Sequence, residues 1–238
     1  MSRYSLKSFR YIFGMNSVYL GSNYLWTSFE SLFLPYEIEL LLPVDVQAIY
    51  LGLIAFFGII IGIAFNFISG TLSDRIRSRL GKRRPMILLG SIIVVFALVL
   101  FILIKDSLTV IFIIYILIEI GSNIAYGSYR PLIRDVIPPS QRGASSGIGG
   151  FFTLIGSALG FGLSGLLIGT GRIELASILI LMTIIAGASV TVLTIKKEDY
   201  ISNIRPNFYK NINNKYDSQA ILDEDKKHKC KHDNNRPK

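Results

Sequence analysis

Cysteine is almost absent from this 238-residue chain: Cys230 is the only one, which excludes any intrachain disulfide. Histidine is nearly as scarce, and the only two, His228 and His232, flank that cysteine in the C-terminal "HKCKH". Three potential ligands in a polar, Asn- and Lys-rich stretch make a poor zinc or copper site, so the reading is a solvated tail with no bound metal. Charge is sparse too, at 17% of residues against 51% hydrophobic, which excludes an ordinary soluble domain. No GxxxxGK[ST] loop occurs, so no nucleotide or other cofactor is expected. No nucleophile, base and orienting acid are grouped, so an enzyme is not expected. The alternation of a membrane barrel strand is missing as well.

What remains is a set of long apolar runs. Six are long enough to cross a bilayer as helices, at 12–36, 47–69, 85–104, 108–129, 146–169 and 174–195. The first follows Arg3, Lys7 and Arg10 in the manner of a signal peptide, but no small-residue cleavage site closes it, so it reads as a retained helix. The fold class predicted is therefore all-α, a polytopic membrane protein with six transmembrane helices in residues 1–195. Residues 196–238 are expected to form a polar, mostly disordered cytoplasmic tail.

The net charge of +9 is distributed as membrane topology requires, and is not read as a nucleic-acid signal. Connections "EIELLLPVD", "KDS" and "GTGRIE" are tight and carry only Lys105 and Arg172 of the 25 Lys and Arg. All the others fall in the N-terminal arm, the second and fourth connections, and the tail. The positive-inside rule places both termini in the cytoplasm, in a multi-pass protein of the plasma membrane.

The second connection, "SGTLSDRIRSRLGKRRP" at 69–85, resembles the signature loop between helices 2 and 3 of the major facilitator superfamily. Gly70, Leu72, Asp74, Arg75, Gly81, Lys82, Arg83 and Arg84 carry the likeness, and the expanded spacing, with "IRSR" up to Arg79 between the Asp-Arg pair and the glycine, is similar to glycoside-pentoside-hexuronide and sucrose cation symporters. "PLIRDVIPPSQRGASSGIGGFFTLIGSALGF" at 131–161 is similar to the superfamily's passage from helix 4 into helix 5. Read as charge alone, the loop pins its side of the protein to anionic headgroups. Asp74 is expected to be buried among cations and to pair with Arg75 or Arg79. The resemblance implies that Asp74 belongs to a gating latch between the two halves of the fold, and that Asp135 is a local partner of the loop arginines.

The resemblance also implies secondary transport by alternating access, of a sugar-like or other small solute with a coupling cation or proton. It covers one six-helix half of that fold. The chain is thus expected to pair with itself as a homodimer or with a separately encoded second half. The alternatives are a truncated inactive half-transporter, or a membrane-embedded interaction protein.

Polar residues inside apolar helices carry the site prediction, because burying them in hydrocarbon is costly. Asn16, Asn23, Thr27, Glu30 and Glu37 recur at helical spacing and are placed on one face of the first span, with Trp26 beside it. Glu119, Asn123, Tyr126 and Arg130 form a second stripe in the fourth span. The resemblance implies that these helices line a common cavity. Glu30 and Glu119 are then candidates for coupling, and Asn23, Trp26, Asn123 and Tyr126 for binding solute through amides, a phenol and an aromatic face. Glu37 and Glu39, close to a helix end, are expected to be solvated. The glycines of the fifth span and Gly52, Gly58 and Gly62 of the second are expected to pack helices closely, with Asn66 as an interhelical contact. Gly147, Gly156 and Gly160 match part of an antiporter motif, but Phe161 stands where that motif has proline, so an exporter is not expected.

Overall fold

The computed structural model describes residues 6–76, 78, 83–104 and 107–195. Arg79 and Gly81 of the signature loop, Lys105, and the whole tail with its HKCKH cluster lie outside the described residues.

Apolar sequence without strand alternation folds as helices. Five of them are long and apolar enough to cross a membrane: α4 (Val44–Arg75), α5 (Arg84–Leu103), α6 (Leu108–Val136), the run Pro139–Gly169, and α9 (Ile173–Thr194). Among the described residues no β-strand forms. In the first predicted span, 12–36, the chain is helical from Phe9 to Leu41 but in pieces: α1 (Phe9–Asn16), α2 (Val18–Ser28), a π-helical turn at Phe29–Phe33, and α3 (Leu34–Leu41). The run Pro139–Gly169 is similarly built, as a 3-10 turn at Pro139–Gln141, α7 (Arg142–Leu159), a π-helical turn at Gly160–Ser164, and α8 (Gly165–Gly169).

Helices α4 and α6 run past residues 69 and 129, the ends expected from where the apolar residues stop. Polar residues continue a helix readily when neighbours hold them, and Pro131 inside α6 removes one backbone donor without ending it. Between α8 and α9, Gly171 takes the left-handed conformation, φ +73°, and the Arg172 amide reaches back to the Leu167 carbonyl, so the chain reverses in a few residues.

The helices pack side by side in the order α4, α6, α5, α9, α2, α7, and no substantial packing joins α4 to α7. The bundle is therefore an open arc. Its apolar core joins Phe29, Phe33 and Leu34 of the first segment to Phe101 of α5, Ile111, Ile114 and Ile118 of α6, and Ile180 of α9. Phe101 meets both phenylalanine rings edge-on at 5.1 and 5.5 Å. α4 leaves Phe56, Phe57, Ile59, Ile60, Ile63 and Phe67 exposed on its outer side.

Glycine brings backbones together where the arc is tightest. A Cβ on Gly90 of α5 would meet the Gly121 carbonyl of α6, and one on Gly156 of α7 would sit 2.6 Å from the Leu20 carbonyl of α2. The expectation for the second span needs correction at Gly52, which has open space around it, whereas Gly58 and Gly62 do pack. In the fifth span Gly149, Gly156 and Gly160 face the first segment, and Gly147, Gly150, Gly162 and Gly169 face nothing within 4 Å. At the signature-loop end, the Gln141 side chain accepts from the Lys7 amide at 2.8 Å and donates to its carbonyl at 2.9 Å, which ties the N-terminal arm to the α6–α7 connection.

Candidate functional site

The inner face of the arc holds a polar cavity of about 290 Å³, lined by Asn23 and Trp26 from α2, Asn66 from α4, and Ser122, Asn123, Tyr126 and Arg130 from α6. That is near the lower end of ordinary small-molecule pockets, ~300–1,000 Å³. All four residues predicted to bind solute, Asn23, Trp26, Asn123 and Tyr126, line this one space. They arrive there because the α2 and α6 stripes both repeat at helical spacing and their helices stand across the cavity from each other.

The amides are oriented by fixed partners. Asn23 Nδ2 donates to the Tyr19 carbonyl at 2.8 Å, to Thr153 Oγ1 at 3.2 Å and to the Tyr126 hydroxyl at 3.4 Å. Asn123 Nδ2 donates to Glu119 Oε2 at 2.9 Å and to the Glu119 carbonyl at 3.0 Å, while its Oδ1 accepts from Asn66 at 3.3 Å. Arg130 lies over the Tyr126 ring at 5.3 Å, a cation–π geometry.

Glu119 and Glu30 stand apart from the cavity lining. Glu119 is 5% exposed and its carboxylate is turned towards α4, where a Cβ on Gly62 would lie 2.7 Å from Oε2. Glu30 sits in the π-helical turn with an exposed side chain, and its Oε1 accepts from the Tyr115 hydroxyl at 3.5 Å.

The first-span stripe is only partly one face. Asn16 is fully buried in a separate network, donating to Ser145 Oγ at 3.0 Å and accepting from the Tyr129 hydroxyl at 3.0 Å. Glu37, expected to be solvated, is 3% exposed, whereas Glu39 is exposed as expected. For Glu37 the physical reason is the π-helical turn, which inserts an extra residue and rotates everything after it by about 100° relative to the stripe that precedes it.

At the signature loop, Arg83 is the hub. Its guanidinium donates to Asp74 Oδ1 at 2.7 Å, to Asp135 Oδ2 at 2.6 Å and to Ser73 Oγ at 2.9 Å. This corrects the local reading of Asp74, whose partner is Arg83 and whose side chain is 63% exposed, in place of burial with Arg75. Arg75 itself is exposed. The reason is directional: Arg75 leaves the end of α4 pointing outward, while Arg83 enters α5 facing the ends of α4 and α6 together. Arg84 bonds the Val192 carbonyl at the end of α9, and a Cβ on Gly70 would rest 3.5 Å from the Gly127 carbonyl, an ordinary contact.

Residues 10–214 match the family model described as Major Facilitator Superfamily. The chain belongs to the major facilitator superfamily. Among curated proteins it is similar to the general alpha-glucoside permease of Schizosaccharomyces pombe, 28% identical over 65% of this chain and 30% of that protein. It is also similar to the sucrose transport protein SUC3 of Arabidopsis thaliana, 27% identical over 61% of this chain and 27% of that one. The chain thus spans less than a third of the curated relatives it matches. Membership of that family, together with the five apolar helices of spanning length, points to a multi-pass membrane protein.

Three cavity residues, Arg130, Asn66 and Ser122, are not among the predicted solute-binding positions. Arg130 and Asn66 are polar positions in the sequence, but only the tertiary arrangement puts them into this space. Ser122 on the cavity wall and Thr153, which holds Asn23, carry no signal of their own, since isolated hydroxyls are common in membrane helices. Tyr115 had one: it stands four residues before Glu119, continuing the stripe by a turn.

Proposed function

We propose that this chain forms a six-helix half of a major facilitator transporter that moves a sugar-like solute with a proton or other cation by alternating access. The observation that carries the reading is the cavity itself: three carboxamides, a hydroxyl, a phenol, an indole and a guanidinium converge in an otherwise apolar helix arc. Carboxamides donate and accept at once and so match ring hydroxyls, and Trp26 offers a flat face to the apolar side of a sugar ring. The names of the relatives, an alpha-glucoside permease and a sucrose transport protein, support the same solute class.

The sixth crossing is the segmented run Phe9–Leu41, which at about 1.5 Å per residue exceeds the ~30 Å hydrocarbon core even with its irregular turn. Both termini then lie in the cytoplasm and the protein in the plasma membrane. The open side of the arc, between α4 and α7, is where a second six-helix unit closes the cavity, either another copy of this chain or a separately encoded half. Glu119 and Glu30 carry the coupling ion, and the Arg83 hub holds the cytoplasmic ends of α4, α5 and α6 as one latch.

The chain has a single tryptophan, Trp26, and it lines the cavity. Sugar binding is therefore readable as a change in intrinsic emission of the reconstituted protein. Saturable change with an alpha-glucoside or sucrose, lost on Asn123→Ala, is the expected result. No response to any glycoside at millimolar concentration, with no uptake into vesicles, refutes the solute assignment.

A further inference from the structure

Tyr115 is a polar side chain next to the coupling candidates that the reading above leaves without a role. It is completely buried, and its ring lies against α4 at Gly58, where a Cβ would sit 2.8 Å from the hydroxyl oxygen. One turn further along α4, Gly62 leaves the corresponding slot for the Glu119 carboxylate and the Asn123 amide. Two glycines four residues apart thus cradle a phenol and a carboxylate that are themselves four residues apart on α6. Any side chain at either glycine fills the slot, so this pair of helices is shaped around that phenol and that carboxylate.

The Tyr115 hydroxyl donates to Glu30 Oε1 at 3.5 Å and also interacts with the Glu119 carboxylate. A phenol has one proton to donate and lone pairs to accept with. It therefore satisfies one ionised and one protonated carboxyl together, and fails to satisfy two ionised ones. Among the described residues of the helices packed here, no other titratable side chain crowds this position. α4 has none between Tyr50 and Asp74, and α5 has none after Arg84. From the first segment, Glu30 faces it and Glu37 is buried two turns further on, in α3. The Glu30 end is exposed and the Glu119 end is enclosed, so the phenol joins an accessible carboxyl to a buried one.

Resting on the coupling role assigned to the two glutamates, we propose that Tyr115 is the relay through which a single proton is shared between Glu119 and Glu30. The carboxyl proton of Glu119 passes to the Tyr115 oxygen as the Tyr115 proton passes to Glu30. Glu119 becomes the carboxylate, Glu30 the acid, and the phenol is regenerated unchanged. The 3.5 Å separation is of the kind that tightens when a ligand closes the site. Tyr115 is a positioning residue: it moves the proton between the groups that hold it.

The test is pH-jump infrared difference spectroscopy of the full chain in lipid nanodiscs, following the carbonyl stretch of protonated carboxyls. The Glu119 band is assigned by its loss in Glu119→Gln. Tyr115→Phe keeps the ring that fills the Gly58 slot and removes only the hydroxyl; Glu30→Gln changes an exposed residue and removes only the far acceptor of the proton. The relay predicts that both substitutions shift the frequency of the Glu119 band and abolish the Glu30 signal that accompanies it. A band unmoved by Tyr115→Phe overturns the relay, and so does a band moved by Tyr115→Phe but indifferent to Glu30→Gln. If no protonated-carboxyl band depends on Glu119 or Glu30 at all, the coupling assignment itself fails, a result distinct from failure of the relay alone.

Discussion

Arg83 offers the sharpest test of the fold, because one guanidinium answers two carboxylates of very different exposure. Its side chain is 6% exposed, that of Asp135 is 28% and that of Asp74 is 63%. Both acids stand near helix C-termini, where the dipole disfavours a negative charge, so each depends on the cation. The Asp74 pair is largely in water and is worth about 0.2–1 kcal/mol. The Asp135 bond is largely covered, and a hydrogen bond to a charged group in that setting is worth about 1.5–3 kcal/mol. Arg83→Ala strands both acids. A fully buried pair broken on one side costs about 3–5 kcal/mol, and water reaching Asp74 brings the expected loss to about 3 kcal/mol. At roughly 2–4 °C per kcal/mol for a chain of this size, Tm falls by about 6–12 °C. Arg83→Lys keeps the charge but has one point donor in place of a fork, so it loses most of the same stability. Thermal unfolding in nanodiscs, followed by Trp26 emission, gives the order Arg83→Ala, then Asp135→Asn, then Asp74→Asn. Equal losses for the two aspartates, or an Arg83→Lys variant as stable as the parent, would refute this account of the hub.

Other substitutions separate packing from site chemistry. Gly90→Val forces α5 off the Gly121 backbone and costs about 1–3 kcal/mol in the same melting assay, while Gly150→Val, with nothing within 4 Å, is neutral. Asn16→Ala leaves the buried Tyr129 hydroxyl and Ser145 short of a partner and lowers stability by about 1–3 kcal/mol, without changing sugar-dependent Trp26 emission. Asn23→Ala does the reverse: it weakens glycoside binding by roughly 2- to 10-fold, the worth of one hydrogen bond, with melting little altered. Gly62→Ala pushes on Glu119 and Asn123 at once, so it impairs both the Glu119 infrared band and sugar binding, and normal behaviour in both argues against the slot.

The family was legible in the sequence because its signature loop is made of charges and glycines at fixed spacing, and such residues keep their meaning without a structure. The membership expected from "SGTLSDRIRSRLGKRRP" is borne out by the family match over residues 10–214. The cavity residues Asn23, Trp26, Asn123 and Tyr126 were legible for a different reason: in an apolar helix a polar side chain has few places to go. Glu37 was misjudged on the same logic, because its proximity to a helix end says nothing about which way the helix is turned. No local rule marks FESLF at 29–33 as a π-helical turn, and that single extra residue decides which side chains after it are buried, Glu37 among them.

The sequence by itself determined what each segment must be: apolar runs of spanning length become helices, since backbone groups in hydrocarbon have to be satisfied within the segment. It also determined which loops hold the charge. The tertiary structure alone decided which polar groups meet. Arg83 finds Asp74 and Asp135, and Tyr115 reaches Glu30, because three helices converge at those points. Helix rotation and close approach at Gly58, Gly62 and Gly90 depend on what the neighbouring helix offers, and no single segment encodes that.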